Sequence, residues 1–158
     1  MRSVLNACLA LTMFVAAANS APSQNTTSVR STFRKPGEPI PAVCLQQIEV
    51  FKAIAKNYPL PVSWKFLIAC DDAQWNLFLR HEGINLDGRI HYAETDIQDG
   101  ITVLRGVTLL RPDAPGAAPD HVIAHELAHI ALRSEDEDKV ESMAQEWLSL
   151  AAETRIHP

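Results

Sequence analysis

Between Asp120 and Leu132 every residue is apolar except His121, His125, Glu126 and His129. Few conformations other than a helix suit such a run. At 3.6 residues per turn, positions four apart stand one above another. The three histidines therefore share a face, while Val122, Ile123, Ala124, Leu127, Ala128, Ile130 and Ala131 cover the remainder. A helix this apolar must lie against a core. Its polar stripe then needs partners, because buried polar groups without them are costly.

The stretch His125-Glu126-Leu127-Ala128-His129 gives that stripe a chemistry. Two imidazoles one turn apart can reach one ion. A catalytic zinc site takes three protein ligands and keeps a fourth position open. Glu126 follows the first histidine and projects beside the metal position, where a carboxylate serves as general base toward the attacking water. The third ligand must come from elsewhere, and Glu135, Asp136, Glu137, Asp138 and Glu141 all follow closely. If a second helix returns as an antiparallel hairpin, His129 lies about one turn before the bend. A partner about one turn beyond it is Glu141, with Glu137 and Asp138 as the other candidates. Acidic residues at the bend itself suit a helix N-terminus.

These residues, with Glu141-Ser142-Met143-Ala144, resemble the active-site helices of gluzincin-type HExxH zinc metallopeptidases over about residues 118–153. The resemblance implies a minimal zincin-like domain, with zinc held by His125, His129 and Glu141, Glu126 as catalytic base, and a peptide or protein substrate. It also implies an edge strand near the metal that pairs with an extended peptide; Gly106–Leu110, ahead of the helix, is the segment assigned to it. The chain departs from the larger gluzincins at Gln145, where an acidic residue often orients a ligand histidine, so that orientation rests elsewhere. The metzincin pattern fails, with Leu132 in place of its glycine and Glu135 in place of its histidine. His121 and Tyr92 are candidate pocket residues. His91 and Arg105 are the other donors available to a developing oxyanion.

The 158 residues make one domain, and 47% hydrophobic with 21% charged residues is the balance of a globule. Residues 1–21 read as a signal peptide: Arg2, an apolar run from Val4 to Ala18, then small residues to Ala21. The run is too short to span a bilayer, so the mature chain keeps no stable membrane anchor and is secreted or periplasmic. Losing Arg2 takes Lys plus Arg from 14 to 13 against 19 Asp plus Glu, and the net charge from −5 to −6. An acidic chain is a poor partner for nucleic acid. Cys8 leaves with the signal, and the remaining pair, Cys44 and Cys70, reads as a disulfide.

Residues 22–41 are polar and proline-rich, which predicts a flexible linker before a domain over 42–158. Apolar periodicity predicts a helix from Cys44 to Asn57, a strand over Val62–Ala69, and a helix capped by Asp71 or Asp72. The turn dipeptides Asp87-Gly88 and Asp99-Gly100 flank a strand from Arg89 to Thr95, and Ile101–Leu110 follows as an extended segment that Gly106 bends or breaks. Asp120 is the expected cap of the histidine helix, and Ser134 with Glu137 forms the spacing of a capping box for the last one. Elements in this order predict an α+β fold with a small, mainly antiparallel sheet, an active-site helix and a C-terminal helix. Trp64, Trp75 and Trp147 are assigned to the core. Two functions fit: an exported zinc metallohydrolase, or a zinc-binding or disulfide-stapled interaction module without catalysis.

Overall fold

The computed structural model describes residues 27–31, 37–84, 91–111 and 118–156. The signal peptide and Asp87-Gly88 lie outside them. Strands β1 (Ser28–Ser31), β2 (Lys65–Ala69), β3 (Ala93–Asp96) and β4 (Ile101–Arg105) form one sheet in the order β1-β2-β4-β3. Only β3 and β4 run antiparallel; β1 with β2 and β2 with β4 are parallel. The expectation of a mainly antiparallel sheet is therefore corrected. The reason lies in the connections. Helix α1 (Ala42–Ala55) joins β1 to β2 and α2 (Asp72–His81) follows β2, and parallel neighbours need such crossovers. A short turn suffices for β3 and β4, where Asp96 Oδ1 accepts the amides of Gln98 and Asp99 at 2.8 and 2.9 Å. Gly100 closes that turn at φ +66°, a backbone conformation that favours glycine. Strand β1 falls in the stretch expected to be a linker, yet it forms the sheet's far edge, and its Val29 packs on the core.

Register decides which side chains meet. Phe66, Thr102 and Thr95 lie in one row across β2, β4 and β3, as do Ile68, Leu104 and Ala93. This face packs on α1 and on α3 (Pro119–Leu132), burying Phe51, Ile123 and Leu127. Alternation sends Leu67, Ala69 and Val103 to the other face, where α2 supplies Trp75, Phe78 and Leu79. Helix α4 (Glu137–Ile156) packs on this framework through Val140 and Ala144, both fully buried. Trp147 stacks on Tyr58, ring centroids 6.1 Å apart, and all three tryptophans pack in the two apolar clusters. The fold is α+β, and the described residues contain no helix long and apolar enough to cross a membrane.

Local chemistry refines the boundaries. Asp71 caps α2 by accepting the Gln74 amide at 2.8 Å, as expected. Gly106–Leu110 is a 3₁₀ helix and not an edge strand. A Cβ on Gly106 would collide with the Gln47 carboxamide and come within 2.8 Å of the Ala69 carbonyl, so the chain leaves the sheet close beneath α1. The edge strand on the opposite side of the sheet from β1 is β3. Pro119 opens α3 with Ala118 at the cap position, which puts Asp120 in the first turn, favourable to the helix dipole but not the cap. Asp136 caps α4 in place of Ser134: its Oδ1 accepts the Lys139 amide at 3.3 Å, while Ser134 Oγ accepts from Asp136 N at 3.1 Å. Cys44 and Cys70 form a disulfide that ties α1 to the end of β2 across 26 residues.

Candidate metal centre

The centre arises where α3 turns back into α4. Arg133, at φ 48° and ψ 48°, ends α3 in the left-handed region, and the Ser134 amide donates to the His129 carbonyl at 3.3 Å. Three residues later α4 begins, so its first two turns run back beside the histidines. Glu137 then stands opposite His125 and His129, and Glu141 opposite His121 and His125.

The nitrogens sort into two kinds. His129 Nδ1 lies 2.8 Å from the Ser134 carbonyl, and His125 Nδ1 lies 3.2 Å from Glu141 Oε2. A carbonyl and a carboxylate only accept, so both Nδ1 atoms carry the proton. A neutral ring then leaves a bare lone pair on each Nε2. Those two Nε2 atoms face each other at 3.2 Å. Glu137 joins them, with Oε2 3.2 Å from His125 Nε2 and Oε1 3.7 Å from His129 Nε2. With both rings neutral, three acceptors converge with no donor between them, an arrangement that could hold a cation. Ligands of a tetrahedral zinc at bonds of about 2.0–2.1 Å stand roughly 3.3 Å apart, close to these separations.

Glu141, expected as the third ligand, is brought to a different set of atoms. It lies 3.0 Å from His121 Nε2 through either oxygen, 3.2 Å from His125 Nδ1, and 2.7 Å from Gln145 Nε2. His121, His125 and Glu141 also stand close enough to hold an ion. Here, however, ring N–H groups can satisfy the carboxylate without one. Gln145 first, then His121 and His125, hold the Glu141 carboxyl well below the usual range, at about 2, against the cost of partial burial.

Glu126 lies one step round the helix from His125 and is 7% exposed. Its Oε2 accepts from Thr95 Oγ1 on β3 at 2.6 Å. Burial pushes this carboxyl above its ordinary range, against the Thr95 hydrogen bond and the nearby imidazoles, which pull it down. The cleft over these groups has a volume of about 780 Å³ and is bounded by β3 with the two residues before it, α3, and the first turns of α4. His121 and Tyr92, expected in the pocket, both line it, as does His91. Arg105 does not: it pairs with Asp72 at 2.8 Å at the start of α2. Glu94 and Glu135 join the carboxylates already named, and none of the described lining residues is Lys or Arg. Burial is the main cause that raises the Glu94 carboxyl, with His91 and His129 opposing.

Thr95 had no signal in the sequence, since only the register of β3 on β4 aims it at α3. Glu137 had one, as an acidic residue near the bend, but helical spacing alone favoured the position one turn later. Compared with models of known families, with characterised proteins and with solved structures, the chain matches none.

Proposed function

We propose that this chain is an exported zinc-dependent hydrolase that cleaves peptide bonds in the cleft between β3 and the α3–α4 hairpin. One observation carries the reading. The Nε2 atoms of His125 and His129 and the Glu137 carboxylate converge as acceptors, while each Nδ1 is held by an acceptor of the chain itself. Holding the outer nitrogen in this way is how proteins fix a metal-bound imidazole. The ligands in this reading are His125, His129 and Glu137. Glu141 orients His125, and it stands four residues after Glu137, the acidic position that Gln145 does not supply after Glu141.

Bound zinc supplies Lewis acidity, polarising the scissile carbonyl and making water more acidic. The chain's own residues do the rest. Thr95 holds Glu126 by Oε2, which leaves Oε1 to take the proton from water as it adds to the carbonyl carbon. The same carboxyl returns that proton to the amine nitrogen as the C–N bond breaks. The outer edge of β3 offers backbone groups to an extended substrate. The apolar leader and the Cys44–Cys70 disulfide support export to a secreted or periplasmic location.

The test is metal content and turnover of residues 22–158. Wild type should carry about one zinc per chain and His125→Ala little. Glu126→Gln should keep the metal while turnover of a fluorogenic peptide library falls about 10²–10⁴-fold. Full turnover in Glu126→Gln would remove the assigned base. A folded wild type without zinc would leave the interaction module as the working function.

A further inference from the structure

Glu126 is the end of a longer chain of groups. Its Oε2 accepts from Thr95 Oγ1 at 2.6 Å, Thr95 Oγ1 lies 2.8 Å from Thr102 Oγ1, and Thr102 Oγ1 accepts from Trp64 Nε1 at 2.9 Å. Thr95 and Thr102 are direct partners across β3 and β4, on the sheet face that meets α3. Thr102 is fully buried, and Trp64 is 9% exposed.

Donor chemistry fixes the direction. An indole N–H only donates, and an ionised carboxylate only accepts. Each hydroxyl has one proton to give. The order is therefore Trp64 to Thr102, Thr102 to Thr95, and Thr95 to Glu126. Trp64 is itself immobilised, with its ring in the core cluster and its carbonyl accepting the Ser28 amide at 2.9 Å. Valine has the shape of threonine, so packing alone does not require either hydroxyl. A buried hydroxyl is costly unless bonded, and here the fully buried one of Thr102 and the part-buried one of Thr95 stand in line behind one carboxylate.

We propose that Trp64 and Thr102 are positioning residues for Glu126, acting through Thr95 to keep Oε2 turned into the sheet and Oε1 turned to the cleft. The inference rests on the reading of Glu126 as general base. A base must be within hydrogen-bond reach of the proton it takes, and a small misplacement is expensive in rate. One isolated Thr95 hydroxyl could swing to another acceptor. With its own acceptor site filled by Thr102, and Thr102 filled by a fixed indole, it has a single direction left.

The experiment compares zinc-loaded wild type, Thr102→Val, Thr102→Ser and Trp64→Phe in peptide turnover, and follows the Trp64 indole N–H resonance in wild type and Glu126→Gln. Thr102→Val and Trp64→Phe should keep zinc and KM while kcat falls about 10–100-fold. Thr102→Ser, which retains the hydroxyl, should recover most of it. The indole resonance should move in Glu126→Gln although two hydroxyls stand between the side chains. Wild-type kcat in Thr102→Val, or a fall that Thr102→Ser does not reverse, overturns the proposal. Should zinc-loaded wild type cleave no peptide, the hydrolase reading fails by itself. The resonance then decides the relay: movement upholds it, and a fixed resonance overturns it.

Discussion

Glu137 and Glu141, one turn apart on α4, reach opposite nitrogens of a single imidazole: the carboxylates lie 3.2 Å from Nε2 and 3.2 Å from Nδ1 of His125. Their charges are equal, but their roles separate on this geometry. On the proposed reading, removing the carboxylate at Nε2 removes a ligand. Removing the one at Nδ1 only loosens the ring that carries a ligand, a change that ordinarily costs about 10–100-fold in metal affinity. Glu137→Gln should therefore weaken zinc binding more than Glu141→Gln does, measured by competition with a chromophoric chelator. The reverse order would make Glu141 the ligand and would favour the His121–His125–Glu141 group as the ion's seat.

The Glu141 carboxyl also sets a pH dependence for the metal-free protein. Its folded value of about 2 lies below the ordinary 4.5. A depressed acid stabilises the fold above its unfolded value and loses that contribution as pH falls through the folded one. The stability difference between wild type and Glu141→Gln should thus stay level above about pH 5 and shrink steadily as pH falls toward 2. The Glu141 side chain is 42% exposed, so screening keeps the difference small. Denaturant midpoints in a pH series would show it, and a difference that grows on acidification would contradict the assigned hydrogen bonds.

Helical period is local, and what depends on it was legible in the sequence: α3, its apolar girth, and the stripe of His125, Glu126 and His129. Which imidazole nitrogens Glu137 and Glu141 face was not, because it turns on how tightly the hairpin bends. Arg133 in the left-handed region reverses the chain at once, so Glu137, in the first turn of α4, already faces the Nε2 atoms. Strand partners are equally non-local. Ser28–Ser31 carries one apolar residue and reads as a linker, yet parallel pairing with β2 takes up the backbone groups on its inner side. Thr95 looks like any strand threonine until its pairing with Thr102 points it at Glu126.

Gly106 tests the close approach of α1 to the end of β4. A methyl group there would strike the Gln47 side chain and stand 2.8 Å from the Ala69 carbonyl. Gln47 is fully buried, and its Nε2 donates to the Cys70 carbonyl at 3.0 Å. It cannot swing aside without losing that bond. Overpacking of this kind costs about 1–3 kcal/mol, the loss expected for Gly106→Ala in chemical denaturation. Adding Gln47→Ala should relieve only part of it, since the Ala69 carbonyl is backbone. A Gly106→Ala variant as stable as wild type would show that α1 is free to move away from the sheet.

The disulfide separates the stability of the fold from the chemistry of the centre. Cys44 lies on α1 and Cys70 just after β2, and neither lines the cleft. Closing a loop of 26 residues restricts the unfolded chain by about 3–4 kcal/mol on the entropy model. Reduction with a phosphine should lower unfolding stability by roughly that amount. Chain that remains folded should still bind one zinc on the proposed reading, because every donor of the candidate centre comes from α3 and α4, which are consecutive in sequence and pack directly on each other. Paired measurements of the urea midpoint and of zinc stoichiometry, with and without reductant, check both halves. Loss of zinc from reduced protein whose circular dichroism is unchanged would mean that α1 holds α3 in register for the metal, a coupling that runs through Cys44.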